Sequence, residues 1–138
     1  MAFVHGKSAV FKLDNSSGTL VDYSSYLNDL SLSRDIETAE TTTFGVAGSA
    51  KTYIVGLSDA TFSISGLFDA TADGTLAGVL GFATPLEFEY GPAGSSGGLI
   101  KYSGNCIMTS YEISAAVGDA VQASADFQVT GAITRGTW

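Results

Sequence analysis

From Ala120 onward the side chains alternate in character with a period of two. Val121, Ala123, Ala125, Phe127, Val129, Gly131 and Ile133 fall on one face, and Gln122, Ser124, Asp126, Gln128, Thr130 and Thr134 on the other. A chain segment of this kind is a long strand with one side packed and one side wet. The stretch before it repeats the theme: a strand at Leu86 to Tyr90, the turn GPAGSSGG (Gly91 to Gly98), and a second long strand beginning at Leu99-Ile100-Lys101. The polar faces are rich in hydroxyls, amides and carboxylates, and no set of His, Cys or paired acids converges on them as an active site requires.

The first half reads in the same way. Lys7 to Leu13 suits a first strand, joined through the turn cluster Asp14 to Gly18 to a second at Thr19 to Tyr23. Asp29 to Glu37 alternates, with Leu30, Leu32 and Ile36 on the apolar side, and Arg34 interrupting that side near a strand end or a partner. Glu40 to Gly56 has small and hydroxyl residues without a sustained period, which predicts an extended arm that touches a neighbour. Ala60 to Phe68 is a further strand, with a bulge or bend expected at Gly66. One helix is expected at about residues 73–82, with Asp73 as its N-cap and Leu76, Val79 and Leu80 on one face. Three glycines weaken it, so packing on a sheet must hold it.

At 138 residues the chain is long enough for one domain that buries about two-thirds of its unfolded surface, and one domain over 1–138 is the expectation. No apolar run approaches the roughly 18 residues of a membrane helix, so no membrane insertion is expected. The start, Met1 to Lys7, carries no basic segment followed by an apolar one, and Cys106 is the single cysteine. Both point to folding in a reducing cytoplasm. Six Lys plus Arg against fourteen Asp plus Glu give a net charge of −8, which opposes direct binding of nucleic acid. A surface past which nucleic acid slides without sticking is compatible with that charge.

Several strings imitate chemical motifs. Gly45 to Thr52 (GVAGSAKT) is one residue from the phosphate-cradling pattern, but strand-like Tyr53-Ile54-Val55 follows where a helix is needed. Asp69 to Gly74 partly resembles a calcium loop, with Thr71 and Leu80 where ligands belong; a capped helix start explains it better. Gly91 to Gly98 precedes a strand, so it reads as a turn rather than an anion site. His5 with Cys106 would be a nucleophilic dyad, and Glu87 with Glu89 an acid pair; a buried small thiol and an ordinary strand face are the plainer readings. No catalytic, cofactor or metal residue is assigned.

Four segments in this order and spacing carry a family resemblance: TTTFG (Thr41 to Gly45), KTYIVGLSDATFSISGLFD (Lys51 to Asp69), EYGPAGS (Glu89 to Ser95), and the end from KYSG at Lys101 to TGAITRGTW. The chain resembles the major tail tube proteins of long, non-contractile-tailed bacteriophages. The resemblance implies a mainly β, sandwich- or barrel-like domain with one flanking helix. Six copies would form a ring with a continuous inner β-barrel, and rings would stack into the virion tube through which the genome is delivered. It also implies partners: a tape-measure protein, a tail terminator, distal tail proteins, and double-stranded DNA that passes through the lumen without specific binding. The hexameric symmetry comes from the resemblance alone.

On that reading Asp29, Asp35, Glu37 and Asp126, interleaved with Ser31, Ser33, Ser124 and Thr130, are the expected lumen face. Six copies at −8 each would place −48 charges on a ring, repelling phosphates from the wall. Thr43, Phe44, Lys51 and Tyr53 of the arm, and Pro92 of the glycine-rich turn, are expected at contacts between subunits or rings, because loops project beyond a sheet. The alternative is a β-sandwich binding module for carbohydrate or a host surface, with Tyr23, Tyr26, Tyr53 and Tyr102 as its aromatic contacts.

Overall fold

The computed structural model describes residues 3–45 and 47–138. Seven antiparallel strands build one sheet: β1 (Val10–Asp14), β2 (Leu20–Asp22), β3 (Leu27–Glu40), β4 (Tyr53–Leu67), β5 (Leu86–Gly91), β6 (Ile100–Ser114) and β7 (Gln122–Thr137), in the order β2-β1-β5-β6-β7-β4-β3. A helix, α1 (Ala70–Val79), separates β4 from β5. The sheet does not close on itself, since β2 and β3 are its two edges.

It curls instead. In sheet order β5 and β4 are separated by β6 and β7, which in a flat sheet would put them about 14 Å apart. Yet the rings of Phe88 on β5 and Phe62 on β4 lie 4.7 Å apart, and Phe11 on β1 meets Phe62 edge-on at 5.6 Å. Phe127 on β7 stacks on Phe62 at 4.6 Å. The apolar face is therefore rolled inward, with Leu13, Ile64, Leu86, Cys106, Met108 and Ala125 completing the core. Burial of aromatic and aliphatic side chains from distant strands is what bends the sheet.

The alternation from Val121 translates directly into this core: Ala125, Phe127 and Val129 are buried while Asp126 and Thr130 are exposed. Gly66 is needed for close approach rather than for a bend, because a Cβ there would strike the carbonyl of Tyr26 and come within 2.7 Å of the Leu27 Cα. The register shift expected near it occurs opposite, between Leu27 and Asp29 of β3.

Three expectations are corrected. The first strand begins at Val10, because Gly6–Ser8 form a 3-10 turn in which the His5 Nδ1 accepts the Lys7 amide. The helix spans Ala70–Val79 rather than 73–82, and its N-cap is Asp69, whose Oδ2 accepts the amides of Thr71 and Ala72 at 3.0 and 3.2 Å. Asp73 sits within the first turn and accepts the hydroxyl of Tyr111 at 2.7 Å. Third, the Glu40 to Gly56 arm is loop only over residues 41–52. β3 runs to Glu40 and β4 starts at Tyr53, so the two strands continue as a ribbon closed by residues 41–52.

Candidate functional site

The arm follows from a mismatch of strand lengths. β4 pairs with β7 only from Thr61↔Gln128 to Leu67↔Gln122, whereas it pairs with β3 as far as Glu40↔Tyr53. Residues 53–60 of β4 and their partners on β3 thus form a two-stranded ribbon with no third strand. Ile36, Tyr53, Ile54, Val55 and Leu57 of the ribbon, and Phe44 at its turn, are exposed large apolar side chains. A lone hairpin is marginal in water, and one so apolar is built for a partner. Its end is stapled by hydroxyls: the Thr41 amide donates to the Thr52 carbonyl at 2.8 Å, the Thr52 amide to the Thr42 hydroxyl at 2.9 Å, and the Thr41 and Thr52 hydroxyls lie 2.9 Å apart.

The outward face of the sheet is the second feature. Across β3, β4, β7 and β6 the ladder aligns Ser31, Ser63, Asp126 and Ser110 in one row, and Asp29 pairs with Ser65 in the next. Asp126 accepts the Ser110 hydroxyl at 2.9 Å, and its backbone carbonyl accepts that of Thr109 at 3.1 Å. Asp35 stands directly opposite Asp59, whose Oδ1 is held by the Gln128 amide group at 2.6 Å. Like charges set opposite each other in a ladder cost stability, so this face tolerates concentrated negative charge.

The structure places the expected lumen residues Asp29, Asp35, Glu37 and Asp126 in exposed positions, and brings Asp29, Asp35 and Asp126 to one face by register. Thr43, Phe44, Lys51 and Tyr53 are likewise exposed, at the arm's end. Pro92 is half-buried and lies apart from them, beside His5, Lys7, Asn28 and Asp29 in an open cleft between β1 and β3. Arg34 is exposed in mid-strand opposite Ala60, the level at which the ribbon leaves the core.

None of the chemical imitations assembles. Gly45 to Thr52 lies in the ribbon's turn between antiparallel strands, with Val46 outside the described residues; it holds only a 3-10 turn at Ala47–Ser49, and a strand follows where a phosphate loop needs an α-helix. Cys106 is wholly buried, and burial, with the Asp14 carboxylate second, pushes its thiol up to about 12. His5 is exposed and spends its Nδ1 on a turn amide. Glu89 is paired with Lys101 at 3.0 Å while Glu87 is exposed. Among the described residues no group of three His, Cys, Asp or Glu could hold a metal ion. The aromatic contacts of a sugar platform are absent as a cluster: Tyr23 is buried in the core, Tyr26 packs against it, and Tyr53 lies on the arm.

Sequence reasoning missed two features. Trp138 is held between the ammonium groups of Lys12 and Lys101, at 5.2 and 5.1 Å from the ring, and lies against Gly91, where a Cβ would meet its indole at 2.7 Å. Asp14 is buried, its Oδ2 accepting the Glu87 amide at 3.0 Å and so tying β1 to the start of β5. Both depend on residues far apart in the chain, for which no local pattern exists.

The family model for the phage tail tube protein matches residues 3–135. The chain belongs to the phage tail tube protein family. It is thus a structural component of a virion tail. Among solved structures, this tail tube protein is similar to a chain in the tail of an empty gene transfer agent particle refined helically with C6 symmetry, at TM-score 0.81 and 21% identity, covering 96% of this chain and 98% of that one. It is similar to the SPP1 tail tube at TM-score 0.69 and 13% identity, covering 98% of this chain and 80% of that one. A chain of the anti-feeding prophage baseplate has the same fold at TM-score 0.74 and 7% identity, covering 99% and 96%. No curated protein matches the chain.

Proposed function

We propose that six copies of this tail tube protein, each one tail-tube domain, form a ring, and that stacked rings make the conduit for double-stranded DNA in a virion assembled in the host cytoplasm. The observation that carries this is the ribbon of β3 and β4, apolar and exposed on a fold shared with a tail of C6 symmetry. The edges β2 and β3 would be covered by neighbouring copies, removing open ladders that invite uncontrolled pairing. The outward face bearing Asp29, Asp35, Glu37 and Asp126 would line the bore, where its charge and hydroxyls let phosphates pass without adhesion. The arm residues Thr43, Phe44, Lys51 and Tyr53, and Pro92 in the Gly91 to Gly98 turn, would lie at contacts between copies. A tape-measure protein would set tube length, a terminator and distal tail proteins would close the ends, and no catalysis would be involved.

Substitution of Asp35 and Asp126 by Lys tests the bore. Tubes should form, and they should retain added double-stranded DNA where the unsubstituted tubes release it at equal ionic strength. Burial of both positions in contacts between rings, seen as failure of the variant to assemble while folded, would contradict the assignment.

A further inference from the structure

The β3–β4 ribbon leaves the sheet at a fork. The β4–β7 ladder ends at Thr61↔Gln128, and beyond it the two strands diverge. β7 turns aside at Gly131, whose φ of 84° is the left-handed conformation that suits glycine, and the β6–β7 register slips there from Asn105↔Thr130 to Ser103↔Thr134. On the other branch, residues 34–40 and 53–59 are all exposed, and only Ala60, at the ribbon's root, is buried in the core. A crevice lined by Arg34, Asp35, Ile36 and Ser58 of the ribbon and by Gly131 and Ile133 of β7 lies in the fork. The β3–β4 ladder ties the ribbon's strands to each other and not to the body. Two-stranded ribbons twist more than wider sheets, so packing alone does not fix the angle at which this one departs.

One side chain spans the fork. The Gln128 side-chain NH2 donates to the Asp59 Oδ1 at 2.6 Å, to the Ala60 carbonyl at 3.1 Å and to the Val129 carbonyl at 3.3 Å. All three neighbours are acceptors, which settles the orientation of the carboxamide. Gln128 pairs with Thr61, so its side chain reaches past the last ladder position to grip two residues of the ribbon. Among the described residues these are the only side-chain hydrogen bonds that join the ribbon to the rest of the sheet. Asp59 depends on them. Asp35 stands directly opposite it, and the one ion pair among the described residues is Lys101 with Glu89, so no cation offsets the two facing carboxylates. A bond to a carboxylate is also of the stronger kind.

We infer that Gln128 is a positioning residue for the arm: its carboxamide fixes the angle at which the β3–β4 ribbon leaves the sheet. Without it the ribbon swings about Ala60 over the crevice, and Asp59 faces Asp35 with no donor between the strands and β7. Holding the arm in one posture in the free chain lowers the ordering cost of any later contact. The arm's contact with a neighbour rests on the tube reading; its posture in the single chain does not.

The test reads distances between spin labels in the whole protein, in a Cys106→Ala background, below the concentration at which tubes form. Labels at Lys51→Cys and Ser16→Cys report the arm against the β1–β2 turn, and labels at Ser16→Cys and Asp119→Cys report the body. With Gln128 in place the arm distance should be narrow. Gln128→Ala should widen its distribution about twofold while the body distance keeps its width. Gln128→Glu, which sets a carboxylate against Asp59 and two carbonyls, should widen it at least as much. Gln128→Glu with Asp59→Asn exchanges donor and acceptor, and should return the width to within about a quarter of the original. In assembly, Gln128→Ala should raise the protein concentration needed for tubes about threefold. An arm distance already broad with Gln128 in place, one unmoved by Gln128→Ala, a body distance that widens with it, or an exchange variant as broad as Gln128→Glu would overturn the assignment. Absence of tubes from the unsubstituted protein would overturn the tube reading, and the label distances would still decide the arm's posture.

Discussion

The hydroxyl of Tyr111 on β6 donates a hydrogen bond to the Asp73 carboxylate of α1 at 2.7 Å, and this bond ties the helix to the sheet. α1 contains two glycines, Gly74 and Gly78, and little intrinsic stability, so its attachment matters more than its propensity. Tyr111→Phe removes a hydrogen bond to a charged group and should lower stability by about 1 to 2 kcal/mol. Urea denaturation of the variant checks this, and the loss should appear as a lower midpoint with an unchanged slope.

Gly66 has no room for a methyl group, since the Tyr26 carbonyl and the Leu27 backbone already occupy the space. The obstruction is backbone held in the β3–β4 ladder, which cannot rotate aside as a side chain could. Gly66→Ala should destabilise by more than about 2 kcal/mol, against a change of a few tenths for Gly97→Ala, where the space is open. Thermal melting of the two variants side by side gives the comparison.

Stability should fall in alkali. Burial raises the Cys106 thiol from 9.0 to about 12, and burial also raises the phenols of Tyr23, Tyr90 and Tyr111, the last assisted by Asp73. In each case the unfolded chain loses its proton at a lower pH than the folded one. The stabilisation is therefore complete below about pH 9 and is lost as pH climbs toward the folded values. For the thiol alone the slope is about 1.4 kcal/mol per pH unit between roughly 9 and 12. Denaturation at pH 8 and pH 11 should differ less for Cys106→Ala than for the unsubstituted protein. In the native state the thiol should also resist a disulfide reagent that labels the unfolded chain.

Much of this architecture is legible in the sequence where one face of a strand is buried. Ala125, Phe127 and Val129 alternate with Asp126, Gln128 and Thr130 because the core takes one set and solvent the other, so period two survives. In the ribbon neither face meets a core. Residues 34–40 and 53–58 are exposed on both sides, so beyond Glu37 the alternation has nothing to record, and the end of β3 and the start of β4 read as loop. The helix shows a different limit. Asp69 and Asp73 are both plausible caps in isolation, and what selects Asp69 is the point at which β4 leaves the sheet, where the Leu67 amide still bonds to the Tyr26 carbonyl. The outward acids Asp29, Asp35 and Asp126 could be named from alternation, but their common face needed the strand order to bring β7 beside β4.

The most direct test is negative-stain electron microscopy of the purified protein, concentrated at neutral pH with moderate salt to screen its net charge of −8. Hollow rods of uniform diameter, built from stacked six-membered rings, are the predicted result. A population that stays monomeric at every concentration, or forms only solid or closed particles without a bore, would contradict it.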